Sequence, residues 1–377
     1  MDDNFINKEK KISNILYLFN EGRSERIKHK GGPKDFFYFY HDLDESIFDK
    51  SFIELKDLRS QNLFSKLLKF FEKLIIRFIK LPTYAHKIIS TENLKKIKRS
   101  DLVILTNETL GYSMIFILYY FKRSRPNLKT VLFVMGLFQQ SNQQSKVRRI
   151  FLNFMLRTYD KFIFLGKEEY DYAVNKYVKY ENKFFYLQFA IDQKYWIKDS
   201  NNLSTNQILF VGNDLNRDYS FLKKLTQKLG QYNFVIVSNK FSGDEFNENV
   251  TLINSNWRSA VLSDVELKEI YNNSLISIIP TKNTLQPSGQ SVGLQSISMK
   301  IPLIISKSEG FWGKEVFIDK EDVLLLENNI EEWEKNIDLL VSNSEKRQSL
   351  VDSAYKKLIE NYKYDDLFIK FIDILSR

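Results

Sequence analysis

The sequence contains no cysteine, which removes disulfide scaffolds, thiolate zinc sites, iron–sulfur clusters and cysteine nucleophiles together. Histidine is almost as scarce: His29, His41 and His86 are the only three, scattered through the first quarter of 377 residues. A histidine-rich metal site is therefore not expected, and no metal is assigned. No uninterrupted apolar run reaches the roughly 18 residues of a bilayer-spanning helix. The N-terminal MDDNFINKEKK is acidic and then basic, with no apolar core of signal-peptide length behind it. The expectation is a cytoplasmic chain that stays in the compartment where it is made.

What is present supports packed cores. Hydrophobic residues make up 43% and aromatic residues 15%, which excludes wholesale disorder. A chain of this length suggests two domains of about 150–200 residues each. Residues 1–200 hold 36 Lys+Arg against 23 Asp+Glu, a net +13, whereas residues 201–377 hold 20 against 24, a net −4. The basic half therefore suits an anionic partner: a membrane surface, a phosphorylated substrate or nucleic acid. No aromatic RNA-binding strand motif, zinc finger or helix-turn-helix is visible, so no nucleic-acid partner is expected.

The second half alternates strand and helix signals. Gln207–Gly212 (QILFVG) is an apolar run ending in glycine, as a buried parallel strand requires. A helix pattern over Asp218–Gly230 follows, then a strand at Phe234–Ser238, a helix near Ser263–Asn272, and a strand at Leu275–Ile279 stopped by Pro280. A helix from about Ser291 and apolar runs at Pro302–Ile305 and Val323–Leu326 continue the rhythm, and Ile330–Arg377 is helical almost throughout. The first half repeats the alternation with strands predicted at Ile12–Phe19, Asp35–Tyr40, Leu102–Thr106, Val131–Met135, Phe162–Leu165 and Phe184–Leu187. Such alternation implies an α/β chain whose parallel sheets are covered on both faces. The division expected is an N-terminal Rossmann-like domain over 1–192, a linker over 193–206, a second domain over 207–358, and a closing helix over 359–377 that crosses back to the first domain.

Ligands of open parallel sheets bind at the carboxyl ends of strands, and two stretches fit. In Gly212-Asn213-Asp214-Leu215-Asn216-Arg217, glycine admits a ligand closely and Arg217 offers a bidentate phosphate fork. The same residues also make an ordinary strand end with an Asp218 helix cap and a solvated arginine. In Pro287-Ser288-Gly289-Gln290-Ser291-Val292-Gly293-Leu294-Gln295, a small-residue turn opens a helix whose first amides would face an anion, and Gln295 suits sugar hydroxyls. A plain Ser-capped helix reads equally well there.

The order FVGNDLNRDYSFLKKL, IVSNK, SIIPTKN, QPSGQSVGLQSISMKIPLIISKSEGFWG and long C-terminal helices resembles the donor domain of GT-B glycosyltransferases of family 4. TYDKFIFLGKEEYDYA and YLQFAIDQKYW resemble that family's last N-domain strand–helix and interdomain crossover, and the correspondence runs over roughly residues 155–377. The resemblance implies two Rossmann-like domains, no cofactor, and a UDP- or GDP-linked nucleotide-sugar as co-substrate. It implies transfer with retention to a glycan or lipid-linked acceptor in cell-surface polysaccharide synthesis. Carried over, Gly212, Asn213 and Arg217 belong to the diphosphate side, Ser288, Gly289, Gln290 and Ser291 meet phosphate or donor sugar, and Gln295 meets the ribose. Where the family has glutamates eight residues apart, this chain has Pro287 and Gln295, and VLFVMGLFQQ carries Met135 and Gly136 where many members place a histidine. A sugar-nucleotide epimerase and a non-catalytic sugar-nucleotide-binding protein are the alternative functions.

In the first half, Glu108 of TNETLG is the carboxylate best placed at a strand end; the same residue reads more simply as a helix N-terminal acid. Residues 62–82 (NLFSKLLKFFEKLIIRFIKLP) predict a basic amphipathic helix, with Leu67, Leu68, Phe71, Leu74, Ile75 and Phe78 on one stripe beside Lys66, Lys69, Lys73, Arg77 and Lys80. That pattern fits peripheral association with an anionic membrane surface, or a core-facing helix with solvated lysines.

Overall fold

The computed structural model describes residues 12–28, 31–56, 63–138, 145–199, 206–255 and 261–377. It divides into two compact units whose chain segments interleave. One holds the residues up to Arg23, then Phe39–Phe164 and Ala173–Phe185; the other holds Ser24–Tyr38, Leu165–Tyr172 and Tyr186–Arg377.

The first unit is built on β1 (Asn14–Phe19), β2 (Asp49–Glu54), β3 (Leu102–Leu105), β4 (Lys129–Val134), β5 (Lys161–Phe164) and β6 (Phe184–Tyr186), in the order β2-β1-β3-β4-β5-β6. The pairings from β2 through β5 are parallel. Strands such as LVIL in β3 are buried at every position, because a parallel strand is covered on both faces and so reads as an unbroken apolar run. The helices of this unit are α2 (Leu63–Ile79), α3 (Thr91–Arg99), α4 (Glu108–Ser124) and α5 (Lys146–Thr158), whereas α1 (Arg23–Lys28) lies almost wholly in the second unit and α6 (Lys167–Lys176) begins there.

The second sheet contains β7 (Gln207–Val211), β8 (Asn233–Val237), β9 (Val250–Ile253), β10 (Ser274–Ile279), β11 (Leu303–Ser306) and β12 (Leu324–Leu326), ordered β12-β11-β10-β7-β8-β9 and parallel throughout. Around it lie α7 (Tyr219–Lys228), α8 (Asp264–Asn272), α9 (Gln290–Ser298), α10 (Ile330–Ser342), α11 (Ser344–Asn361) and α12 (Tyr364–Ser376). Phe210, Leu222, Ile236, Ile278 and Trp333 are buried in one apolar cluster. The strand order reverses between β7 and β10, and a crevice opens beyond the carboxyl ends of neighbouring strands where an open sheet switches direction. Both candidate turns follow these two strands.

The run Asp35–Tyr40, expected as a strand, is a 3-10 turn over Asp35–Phe37 followed by Tyr38 and Phe39 at φ 48 and 65. Its unbroken aromatic content is satisfied by burial in a turn as well as in a strand, for Phe37 through Tyr40 are all buried. The strand beside β1 is instead DKSFIE, whose polar start masks it. Edge strand β9, VTLI, is likewise absent from the sequence reading and is only half-buried. Helix α6, Lys167–Lys176, gives way to a 3-10 stretch over Val178–Lys183. In the stretch 193–206, Trp196 is fully buried, and 200–205 lie outside the described residues.

Candidate functional site

Arg217 is wedged between the two glycine turns. Its backbone bridges to Thr281 beyond β10, and the Asp218 amide donates to the Pro280 carbonyl at 3.0 Å, so the loops after β7 and β10 are sewn together. Arg217 is 2% exposed. Nη1 donates to Ser288 Oγ and Nη2 to the Val211 carbonyl, each at 3.4 Å, while Nε forms an ion pair with Asp214 Oδ2 at 3.3 Å without hydrogen-bond geometry. A group with five N–H donors is thus held by three long contacts, and keeps capacity for an anion.

The glycines make this arrangement fit. A Cβ on Gly212 would lie 2.5 Å from Arg217 Nε, and one on Gly289 would lie 2.6 Å from Nη1. Gly289 also adopts φ +81 as the N-terminal cap residue of α9, a conformation that disfavours any side chain. The neighbouring helices α7 and α8 are capped by the side chains of Asp218 and Ser263; α9 has no side-chain cap. Its leading amides, Gln290 and Ser291, therefore start the helix with the positive end of its dipole beside Arg217.

The other expected residues have definite partners. Asn213 donates to the Ser255 carbonyl at 3.1 Å and accepts from the Asn239 amide at 2.7 Å, tying the ends of β7, β8 and β9. Ser288 donates to Asp214 Oδ1 at 2.9 Å. Gln290 turns its amide to the Leu165 carbonyl at 3.1 Å, and Pro287 lies against Gly166. Ser291 is half-buried at the helix start.

Gln295, one turn further along α9, is buried with both amide ends engaged: Nε2 donates to Asp35 Oδ2 at 2.8 Å and Oε1 accepts from the Tyr271 hydroxyl at 3.2 Å. Asp35 also accepts from Trp196 Nε1 at 2.7 Å and from the Asp192 amide at 2.5 Å. Burial pushes its carboxyl up to about 7, against the pull of these three donors. Asp35 was not singled out from the sequence. The available signal was a lone acid heading an aromatic run, DFFYFY.

Glu108 lies in the other unit, at the start of α4. Its carboxylate accepts from the Met135 amide, with further backbone bonds from Leu137 and its own amide. Burial raises it to about 6 while those bonds pull it down. It clamps the turn at Gly136, which sits at φ 132. Glu108→Gln replaces an acceptor oxygen by an amide facing backbone N–H groups, and should cost about 1–3 kcal/mol of stability. Denaturant unfolding beside a UDP thermal shift checks this: unchanged stability would show that the clamp is not structural. Among the described residues, no three or more His, Asp or Glu side chains group as a metal would need.

Solved structures share this architecture. HepE from Anabaena, in complex with UDP-glucose, aligns with a TM-score of 0.67 at 10% identity, covering 96% of this chain and 99% of that one. An alpha-glucosyltransferase in complex with UDP-glucose and DNA containing an abasic site aligns at 0.61 and 12% identity, covering 97% and 99%. The chain has the GT-B fold. TarM from S. aureus shares the GT-B fold too, with a TM-score of 0.58 at 13% identity, over 76% of this chain and 59% of the TarM chain, so the match spans about three-fifths of that relative. No protein-family model and no curated protein matches the sequence. Within the GT-B fold, Arg217 and the start of α9 stand at the strand ends of the sheet's switch point.

Proposed function

We propose that this chain is a glycosyltransferase that moves a sugar from a nucleotide-sugar to a glycan or lipid-linked acceptor in cell-surface polysaccharide synthesis. It works with retention from the cytoplasmic face of a membrane. The observation that carries the reading is the buried Arg217 guanidinium between Gly212 and Gly289, beside the uncapped start of α9. Two glycine turns admit a diphosphate to the backbone, and the cation and helix dipole balance its charge. UDP is favoured over GDP because TarM, HepE and the alpha-glucosyltransferase were each solved with UDP or UDP-glucose.

In this reading Gly289, Gln290 and Ser291 hold the diphosphate through backbone amides, and Arg217 meets it from the β7 side. Asp35 holds Gln295, so that α9 presents its first turn in a fixed pose. With retention, the leaving phosphate takes the acceptor's proton, so no protein base is required on the opposite face. DNA accompanies one of the similar structures, so a transfer assay should include it beside glycans and lipid-linked sugars.

Arg217→Lys keeps the charge and removes the fork. UDP binding should weaken by roughly 1.5–3 kcal/mol, and uridine binding by much less. Equal losses for both ligands, measured by calorimetry, would make Arg217 purely structural. A parent protein that binds UDP but transfers to no acceptor in the panel supports the non-catalytic alternative.

A further inference from the structure

Helix α2 turns only part of its apolar surface inward. Among its described side chains Ser65 and Glu72 are buried, and Leu68, Ile75, Ile76 and Ile79 on the same side are half-buried. The Glu72 carboxylate accepts from the Ala85 amide and pairs with His86 Nδ1, and the Ser65 hydroxyl donates to the His86 carbonyl at 3.5 Å. This polar seam fixes the helix's rotation. Leu67, Phe70, Phe71, Leu74 and Phe78 are left in solvent, Phe78 at 75% exposure. At 100° per residue these five fall within one arc of roughly a hundred degrees. Lys66, Lys69, Lys73 and Arg77, with Lys80 just past the helix end, occupy the adjoining arc, and Glu72, the helix's one acid, lies on the buried side with Ser65.

The pattern continues onto α5. Arg148 donates to the Ile79 carbonyl at 2.8 Å and the Lys80 carbonyl at 3.0 Å, closing the end of α2 against the start of α5. There Val147 and Ile150 are exposed beside Lys146 and Arg149.

We infer that α2, with the first turn of α5, docks flat onto an anionic lipid surface, its Phe and Leu stripe in the acyl boundary and its basic row among the headgroups. Exposed aromatic and aliphatic side chains are costly in water, and a basic flank selects a negatively charged cover. Two copies of the face packed together would instead bring the same basic rows close. No helix among the described residues is long and apolar enough to cross a membrane, so the contact is in-plane. The inference deepens the proposed reading by naming the surface on which its acceptor is met.

The test is co-sedimentation of the full chain with phosphatidylcholine vesicles, with and without phosphatidylglycerol, at low and high salt. The parent should bind the anionic vesicles, and salt should weaken binding. Lys66→Gln/Lys69→Gln/Lys73→Gln should lose on the order of a hundredfold, each charge near the leaflet being worth about fivefold. Phe71→Ser/Phe78→Ser should lose at least roughly tenfold at either salt. Four of the five positions are exposed and Lys69 is half-buried, so melting temperatures should hold. Parent binding that ignores lipid charge, or variants that bind like the parent, overturns the inference. So does self-association that the Phe pair abolishes without any vesicle binding. A UDP thermal shift on the same samples separates the two ideas: a normal UDP response without vesicle binding removes the docking face alone, and vesicle binding without a UDP response removes the donor reading alone.

Discussion

Gly289→Val should abolish the thermal stabilisation that UDP confers and lower the melting temperature of the unliganded protein. At φ +81 a β-branched residue is strained by about 1–2 kcal/mol. Its Cβ would also lie 2.6 Å from Arg217 Nη1 and 2.7 Å from Ile279 Cγ2. The strand residue cannot yield, so the guanidinium must leave its seat. In the parent, UDP at 100 times its dissociation constant should add about 2.7 kcal/mol, and the variant should show none of it. Gly212→Ala is the companion, because its Cβ meets the same guanidinium from the other side at 2.5 Å without a left-handed backbone. It should reduce the UDP response with a smaller loss of intrinsic stability. A Gly289→Val protein that responds to UDP as the parent does would remove the turn from the donor site.

Asp35→Ala should destabilise the second unit by roughly 3–5 kcal/mol. It strands the Trp196 indole N–H, the Gln295 amide and the Asp192 backbone amide, and each unmade buried bond costs about 1–3 kcal/mol. The same carboxyl makes stability depend on pH. Its value is raised from 3.8 to about 7 by burial, so between those values the native state holds a proton that the unfolded chain has released. Stability from this group is full below about pH 4 and is lost as pH rises through 7. The parent should therefore lose about 2.5 kcal/mol relative to Asp35→Asn between pH 5 and pH 7.5. Urea unfolding of both proteins at the two pH values checks this. A constant difference would mean that Asp35 does not titrate in that window.

Much of the second sheet was legible because buried parallel strands are apolar without interruption: QILFV and FVIV become β7 and β8 at nearly the expected bounds. Strands β2 and β9 were not, since an edge position tolerates polar residues such as the Asp49–Lys50–Ser51 start of β2. Both glycine turns were visible as turns. That Arg217 lies between them was not, because Gly212 and Gly289 approach only through the fold. The missing acid at Gln295 was read correctly as missing, yet its neighbour Asp35 is 260 residues away in sequence. For α2, periodicity identified an amphipathic helix but not which side faces inward. That sense is set by Glu72 pairing with His86, a tertiary contact with no local signature.

The Asp35–Gln295 bond has a temporal side. A ribosome adding about 5–20 residues per second exposes Asp35 on the order of tens of seconds before Gln295 exists. Through that interval the DFFYFY segment lacks α9 to pack against, and its carboxyl remains ionised in water. Nascent chains halted before residue 290 should accordingly be cut more readily at the Asp35–Phe37 turn than the full chain is, although Tyr40 of the same run already has Tyr17, Phe19 and Phe52 to pack against. The two ends of one short segment are thus locked at different times.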